Sequence, residues 1–273
     1  ELVEGYDLLF IDEAQRIPNI GINLKILIDR APKLKIIATG SSSFELANTI
    51  SEPLTGRKWV FQLFPISQLE LNAHYNLFEL KSQLEQRLIF GSYPEIFSLS
   101  RKKDIAEYLR QLAEDYLFKD ILALRELRNP IKIRQLCKLL AFRVGNEVSL
   151  NELATQIEMS KETVAHYIDL LEKTFVIFNL GGFSRNLRKE ITKTRKIYFY
   201  DLGIRNAVIN NFNPLGKRED IGALWENFMV AERMQKHGNR VDRQEIHKRR
   251  LDVKNRMQPR GIGYRINHAP LQK

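Results

Sequence analysis

Two adjacent carboxylates, Asp12 and Glu13, directly follow a short apolar run at residues 8–11. The run is β-branched in part and apolar on both faces, which predicts a buried parallel strand. Open α/β sheets bind their ligands at the carboxyl ends of the strands, so acids placed there can do chemistry. Asp12 would hold Mg²⁺, and Glu13 would act as general base on the water that attacks a nucleoside triphosphate. The alternative is that the two acids cap the turn after the strand.

A second apolar run, residues 34–38, also breaks into small polar residues. The connection at residues 16–33 carries enough apolar residues for a crossover helix between parallel strands. Thr39 and Ser41 would then lie beside the two acids at the same sheet edge, where a hydroxyl could contact a γ-phosphate or its attacking water. Alternatively, this Ser/Gly turn caps a helix that begins near residue 43.

Four segments together resemble the second half of an AAA-type ATPase domain. They are residues 9–15 (LFIDEAQ), 37–42 (IATGSS), 54–57 (LTGR) and 63–67 (LFPIS). The similar group is bacterial and archaeal and carries a C-terminal domain of the DUF4143 type. The resemblance implies that Asp12 and Glu13 are the Walker B pair, that Ser41 lies in the sensor 1 region, and that ATP and Mg²⁺ are the ligands. It also suggests a phosphate-sensing or finger role for Arg57, whose alternative is an exposed turn residue.

The phosphate-binding loop of such enzymes, G-x-x-x-x-G-K-[ST], is not found anywhere in the 273 residues. In the family this loop precedes the Walker B pair, whereas here the first predicted strand already begins at Leu8. We therefore expect an N-terminally truncated form of a longer ATPase, unable by itself to bind ATP tightly or to hydrolyse it.

The composition is that of a globular protein, with 44% hydrophobic residues. The length allows two domains and a partial third. No apolar run is long enough for a membrane span, so we expect no membrane association. Cys137 is the only cysteine, which excludes an internal disulfide and a multi-cysteine zinc site and suits a reducing cytoplasm. Its helical apolar surroundings predict a buried thiol.

The net charge of +10 is concentrated in one region. Residues 233–273 contain 12 basic and three acidic residues, whereas residues 1–232 contain 31 and 30. The main body therefore carries no global signature of nucleic-acid binding. After Gly238 the apolar pattern is lost, and we expect residues 239–273 to be poorly ordered. An aberrant reading of the gene would explain this tail; a genuine nucleic-acid-binding tail is the alternative.

The middle of the chain has a helical pattern from residue 76 to residue 145, with apolar residues three and four apart. A turn at residues 91–95 (GSYPE) interrupts it and is similar to the element that opens the C-terminal domain in the resembled family. An amphipathic helix follows at residues 105–121. Its end, residues 116–121, also fits the family, and we expect a structural role for Asp120.

Residues 149–200 predict a winged helix. Ser149 caps a helix and forms a capping box with Glu152. Ser160 caps the second helix, and strands are expected at residues 175–180 and 193–199.

The loop between those strands is rich in bases, of which Arg185, Arg188 and Lys189 are candidates for phosphate contacts. The second helix, by contrast, exposes residues of mixed charge, which is unfavourable in a major groove. A nucleic-acid contact and a structural or protein-docking role therefore both remain open for this module.

Residues 201–238 resemble the beginning of a nuclease-like α/β domain. Carried over from the family, Glu226 would be the first acid of a Mg²⁺ site. The remaining acids of such a site are absent, because residues 245–250 (EIHKRR) do not continue the pattern. The alternative is that Glu226 makes a local hydrogen bond.

The expected fold is α/β. A partial P-loop-type parallel sheet at residues 1–75 is followed by a helical region with a winged helix at residues 76–200. An incomplete nuclease-like α/β part at residues 201–238 and a basic tail complete the chain. Three functions are open: an ATPase-derived regulatory or remodelling protein, a nucleic-acid-binding module without enzymatic activity, and a nuclease. The corresponding partners are ATP, DNA, and a protein partner or second copy of the chain.

Overall fold

The computed structural model describes residues 3, 5–40, 54, 56–114, 129–180 and 195–238 of the chain. Helices predominate. A small parallel sheet lies near the N-terminus, and a small antiparallel sheet lies further along the chain. In these described stretches, no helix combines the length and the apolar character that a membrane crossing requires.

The parallel sheet contains β1 (Leu8–Ile11) and β2 (Lys35–Ala38), joined by helix α1 (Ile20–Arg30). The two strands are direct neighbours, with Leu8 opposite Lys35 and Ile11 opposite Ala38. The predicted parallel pair and its crossover helix are confirmed. The carboxyl ends of both strands therefore lie at one edge of this sheet.

One face of the parallel sheet is exposed, which differs from the expectation that the first strand is buried. On the other face, Ile11, Ile36 and Ala38 form one apolar cluster with Leu24 and Ile28 of α1. Leu8 and Phe10 are 52% and 59% exposed, and Ile37 on the same face is 48% exposed. The helix covers only one side, and no other described element covers the second side.

Residues 62–71 lead from this unit into helices. The helices are α2 (Gln68–Leu71), α3 (Leu77–Ser82), α4 (Leu84–Phe90) and α5 (Lys102–Glu114). The prediction that this region is helical is correct. The helix expected across residues 77–90 is, however, divided into α3 and α4 at Gln83, which lies between them. The continuation predicted to residue 121 lies outside the described residues.

The antiparallel sheet follows a helix–strand–helix–helix arrangement. The helices and strands of this region follow one another in the order α6 (Pro130–Phe142), β3 (Glu147–Val148), α7 (Leu150–Ile157), α8 (Lys161–Lys173), β4 (Ile177–Leu180) and β5 (Arg195–Phe199). The spatial order is β3-β5-β4, and both pairings are antiparallel. Residues 181–194, which contain the predicted basic loop, are outside the described residues.

Short-range polar contacts begin the two helices α7 and α8. The Ser149 hydroxyl accepts a hydrogen bond from the Glu152 amide at 3.5 Å, and the Ser160 hydroxyl accepts one from the Thr163 amide at 3.1 Å. Both caps are confirmed. The capping box is not, because the Glu152 carboxylate accepts a hydrogen bond from Arg143. A long-range ion pair has replaced the local contact.

The antiparallel sheet is covered on both faces because alternate side chains point to opposite sides. Ile177, Ile197 and Phe199 enter the main core with α6, α7 and α8, where the predicted burial of Cys137 is also found. Burial raises the pKa of the Cys137 thiol to about 12. The opposite face packs on the long helix α10 (Ile221–Gly238), and α9 (Leu202–Val208) packs into the main core.

Asn227 of α10 extends the hydrogen-bond ladder of β5. Its side chain accepts from the Phe199 amide at 2.8 Å and donates to the Phe199 carbonyl at 2.9 Å. A neighbouring strand would make the same pair of bonds, and a buried peptide without them is costly. The fully buried amide thus fixes α10 against the sheet.

Candidate functional site

Asp12 and Thr39 meet at the carboxyl edge of the parallel sheet. The Thr39 hydroxyl donates a hydrogen bond to Asp12 Oδ1. The Thr39 amide donates to the Ile11 carbonyl, and the Thr39 carbonyl accepts from the Ala14 amide, each at 2.9 Å. Thr39 therefore fixes both the backbone after β1 and the orientation of the Asp12 carboxylate.

Glu13 occupies an unusual backbone conformation between these contacts. Its φ of 51° and ψ of 43° place it in the left-handed region, which costs a non-glycine residue roughly 1 kcal/mol or more. Its carboxylate accepts a hydrogen bond from Gln15 Nε2 at 3.0 Å and faces Arg16 Nε at 3.3 Å. The Glu13 side chain remains 38% exposed, so a water molecule can reach it.

Arg57 lies away from this edge. Its guanidinium forms an ion pair of 2.5 Å with Asp29 in the last turn of α1. Because β1 and β2 are parallel, α1 must return to the amino ends of the strands, and its last turn lies there. The structure therefore does not bring Arg57 together with Asp12 and Glu13 of the same chain.

Four predicted site residues cannot be placed, because Ser41, Arg185, Arg188 and Lys189 lie outside the described residues. The sensor and DNA-contact roles of these side chains stay predictions.

The side chains at the sheet edge fit one mode of Mg²⁺ binding. Among the described residues, no group of three or more His, Cys, Asp or Glu could form a metal cage. Mg²⁺ commonly needs only one or two carboxylates, since it keeps several waters and takes further oxygens from substrate phosphates. An exposed carboxylate held by a hydroxyl, as in the Asp12–Thr39 pair, suits that arrangement.

Glu226, the candidate nuclease acid, has Tyr198 and Lys196 of β5 as its partners. Its Oε1 accepts from the Tyr198 hydroxyl at 2.7 Å and lies 3.3 Å from Lys196 Nζ. Burial and this carboxylate raise the pKa of Tyr198. The hydrogen bond of Glu226 is therefore made to strand β5, 28 residues earlier in the chain, and not to a neighbour in sequence as the alternative expected.

Sequence reasoning missed a buried polar network around α9. Arg205 donates to the Ala141 carbonyl at 2.8 Å and to Asp220. Arg218 donates to both oxygens of Asp220, at 2.8 and 2.7 Å. Asn206 donates to the carbonyls at the end of α4. The carbonyl partners lie 64 to 118 residues away in sequence, so no local pattern reveals the cluster.

Sequence reasoning also missed Asp201 as a buried helix cap. Its carboxylate accepts from the Ser92 amide at 2.7 Å and from the Ile204 amide at 3.0 Å. Burial raises the pKa of Asp201 to about 6, although these amide hydrogen bonds oppose the shift. An Asp before an apolar helix is a capping signal that could have identified it.

Comparison with protein families identifies two matching regions. Residues 1–72 match the model of an AAA domain, and residues 81–215 match a domain of unknown function, DUF8612. The second match replaces the DUF4143 type that the motifs had suggested. The first agrees with the AAA-type resemblance.

Curated relatives extend the similarity over most of the chain. An uncharacterized protein of Mycobacterium tuberculosis and one of Mycobacterium bovis are each 26% identical over 228 residues, which is 82% of this chain and 50% of the relative. An uncharacterized protein of Methanocaldococcus jannaschii is 25% identical over 240 residues, covering 82% and 52%. No solved structure matches significantly. The chain spans about half the length of these relatives, and its N-terminal region matches the model of an AAA domain.

Proposed function

We propose that Asp12 and Glu13 are the metal-binding and water-activating acids of an AAA-type ATPase. The observation that carries this proposal is the contact between Asp12 and Thr39 at the carboxyl ends of two adjacent parallel strands. The AAA-domain match of residues 1–72 supports it independently of the geometry.

Each side chain has a defined part in the proposed reaction. Mg²⁺ bound at Asp12 would neutralise charge on the phosphates. Glu13 takes a proton from a water molecule as the water oxygen bonds to the γ-phosphorus, and the bond from that phosphorus to the β–γ bridging oxygen breaks. Thr39 keeps the Asp12 carboxylate turned toward the edge. Arg57 takes no part in the proposed reaction within its own chain. A role as an arginine finger would need a second copy of the chain whose bound nucleotide lies near Arg57.

The sequence lacks a phosphate-binding loop, so we propose that these 273 residues supply only part of the site. The backbone amides and lysine of that loop hold the β- and γ-phosphates in such enzymes. ATP hydrolysis is accordingly proposed for a longer protein that contains both this chain and such a loop.

The nucleotide prediction has two measurable parts. By calorimetry with MgATP, this chain is expected to bind with a Kd weaker than about 1 mM. In a longer protein with the loop, Glu13→Gln is expected to lower kcat by about 10²–10⁴-fold while ATP still binds, because only proton removal is lost. Glu107→Gln, on an exposed part of α5, is the matched control and should hydrolyse ATP normally. Micromolar binding by this chain, or normal turnover by Glu13→Gln, would contradict the proposal.

A second candidate is a winged helix that contacts DNA through its basic loop. The β3-β5-β4 order and the preceding helices support a winged helix. The exposed side of α8 argues against a groove-reading role, because its charged residues are Lys161, Glu162, Asp169, Glu172 and Lys173. Two of them, Lys173 and Asp169, also neutralise each other at 2.7 Å. We therefore favour a structural or protein-docking role for α8.

Salt-dependent binding to duplex DNA tests this second candidate. If the loop binds DNA, replacing Arg185, Arg188 and Lys189 with alanine should weaken the affinity for DNA. The slope of log K against log salt concentration should become shallower by about 3. The same change of charge at Lys102, Lys103 and Lys236 is the control. Equal behaviour of the two triple variants would exclude the loop as the contact and leave the structural role.

A further inference from the structure

The carboxylate of Glu13 is held through one of its two oxygens. Gln15 Nε2 donates a hydrogen bond to Glu13 Oε2 at 3.0 Å, and Arg16 Nε lies 3.3 Å from the same oxygen. Within the part of the chain that the structure describes, no residue donates a hydrogen bond to Glu13 Oε1. One oxygen is therefore anchored, whereas the other is left for a water molecule.

The backbone after β1 brings the anchoring side chain into place. The left-handed conformation of Glu13 turns the chain directly from the strand into a short 3-10 helix at Ala14–Arg16. This helix is fixed at its start, because the fully buried Ala14 donates its amide to the Thr39 carbonyl at 2.9 Å. Gln15 therefore reaches Glu13 from a fixed turn only two residues away.

Of the two donors, Gln15 has the stronger hold on the carboxylate. The Arg16 side chain is 76% exposed, and exposed ion pairs contribute only about 0–1 kcal/mol. Its distance to Glu13 also exceeds the roughly 2.7–2.9 Å of a strong charge-assisted hydrogen bond. Gln15 is half-buried, and its contact has the ordinary length of an N–H···O hydrogen bond.

We propose that Gln15 is a positioning residue for the water-activating acid, an inference that rests on the proposed function. Gln15 fixes Glu13 Oε2, so Oε1 is the oxygen that takes the proton from the attacking water. As this proton moves, the water oxygen bonds to the γ-phosphorus, and the bond from that phosphorus to the β–γ bridging oxygen breaks.

A glutamine suits this role because it orients the carboxylate without cancelling its charge. A cation held at the same distance would stabilise the ionised form more strongly and make Glu13 a weaker base. Without Gln15, the Glu13 side chain would rotate more freely, and Oε1 would lie near the water in a smaller fraction of molecules. Catalysis by a base depends steeply on such placement.

Nuclear magnetic resonance of the 273-residue chain tests the contact without any nucleotide. Glu13→Gln replaces a charged acceptor with a neutral one, so the side-chain amide protons of Gln15 should move upfield. Glu107→Gln, the matched change at an exposed acid of α5, should leave these signals in place. Unchanged Gln15 signals in Glu13→Gln would overturn the proposal, because the two side chains would then not be bonded.

ATP turnover by the longer protein that contains a phosphate-binding loop tests the role in catalysis. Gln15→Ala is expected to lower kcat by about tenfold and to leave KM for ATP nearly unchanged, because only the placement of the base is lost. Gln111→Ala, the same change on the exposed side of α5, is the matched control and should turn over normally.

The double variant separates positioning from a general structural effect. In a protein that already carries Glu13→Gln, Gln15→Ala should cause no further loss of kcat, since Gln15 acts through Glu13. Normal kcat in Gln15→Ala, or a full additional loss in the double variant, would overturn the role of Gln15. Normal turnover by Glu13→Gln alone would instead overturn the proposed function, so the two failures are distinguishable.

Discussion

Replacing Asp220 with alanine is expected to reduce the free energy of unfolding by about 3–5 kcal/mol. The carboxylate of Asp220 is shared by Arg205, whose side chain is 1% exposed, and by Arg218, which is also buried. Removing the acid leaves two guanidinium groups in a poorly solvated interior without a counter-charge. The cost comes mainly from these unpaired charges, and to a lesser degree from the lost attraction.

Urea denaturation of the wild type and variant measures this difference. Glu219→Ala removes a neighbouring exposed acid and should change stability by less than about 0.5 kcal/mol. Equal stability of Asp220→Ala and the wild type would show that water reaches the two arginines freely.

Acid titration gives a second view of Asp220. Burial by itself would raise the pKa of this residue, but hydrogen bonds from Arg218 and Arg205 outweigh it and lower the pKa to about 2. The contribution of Asp220 to stability is therefore present above its unfolded pKa of about 3.9 and is lost as pH falls toward 2.

Gly203→Ala is expected to cost roughly 3 kcal/mol or more, the upper part of the range for overpacked sites. A Cβ atom at this position would lie 2.1 Å from the Phe90 carbonyl oxygen and 2.9 Å from an Asp201 carboxylate oxygen. The first of these is backbone at the end of α4 and cannot rotate away. Helix α9 would have to move, and the hydrogen bond from the Ser92 amide to Asp201 would be lost with it.

Gly222→Ala is the matched control, because a Cβ there meets no atom within 4 Å. It lies in the first turn of α10, where alanine has the better helix propensity, so its effect should be neutral or slightly stabilising. Thermal unfolding of the two variants separates a steric clash from a general effect of adding a methyl group. A Gly203→Ala protein as stable as Gly222→Ala would contradict the packing of α9 on α4.

Features fixed by neighbouring residues were predictable from the sequence. The apolar runs that end in polar residues gave β1 and β2, and Ser149 and Ser160 were recognised because a cap acts three residues away. The meeting of Asp12 and Thr39 also followed from local patterns, since adjacent parallel strands end at one edge.

Features fixed by distant residues were not predictable. Asn227 bonds a strand 28 residues earlier, and Arg205 contacts a carbonyl 64 residues earlier. Glu152 matches a local capping motif, yet it pairs with Arg143 because that arginine is brought close by folding. The exposed Leu8 and Phe10 show the same limit, since an apolar pattern does not reveal whether an element covers it.

The left-handed backbone at Glu13 sets stability against the water-activating role that we propose for this residue. Glycine reaches that conformation without the penalty that a side chain brings, so a protein selected for robustness alone would gain by discarding the carboxylate. Under the proposed function, library selections of the longer protein for heat resistance and for ATP turnover should therefore favour different residues at this position.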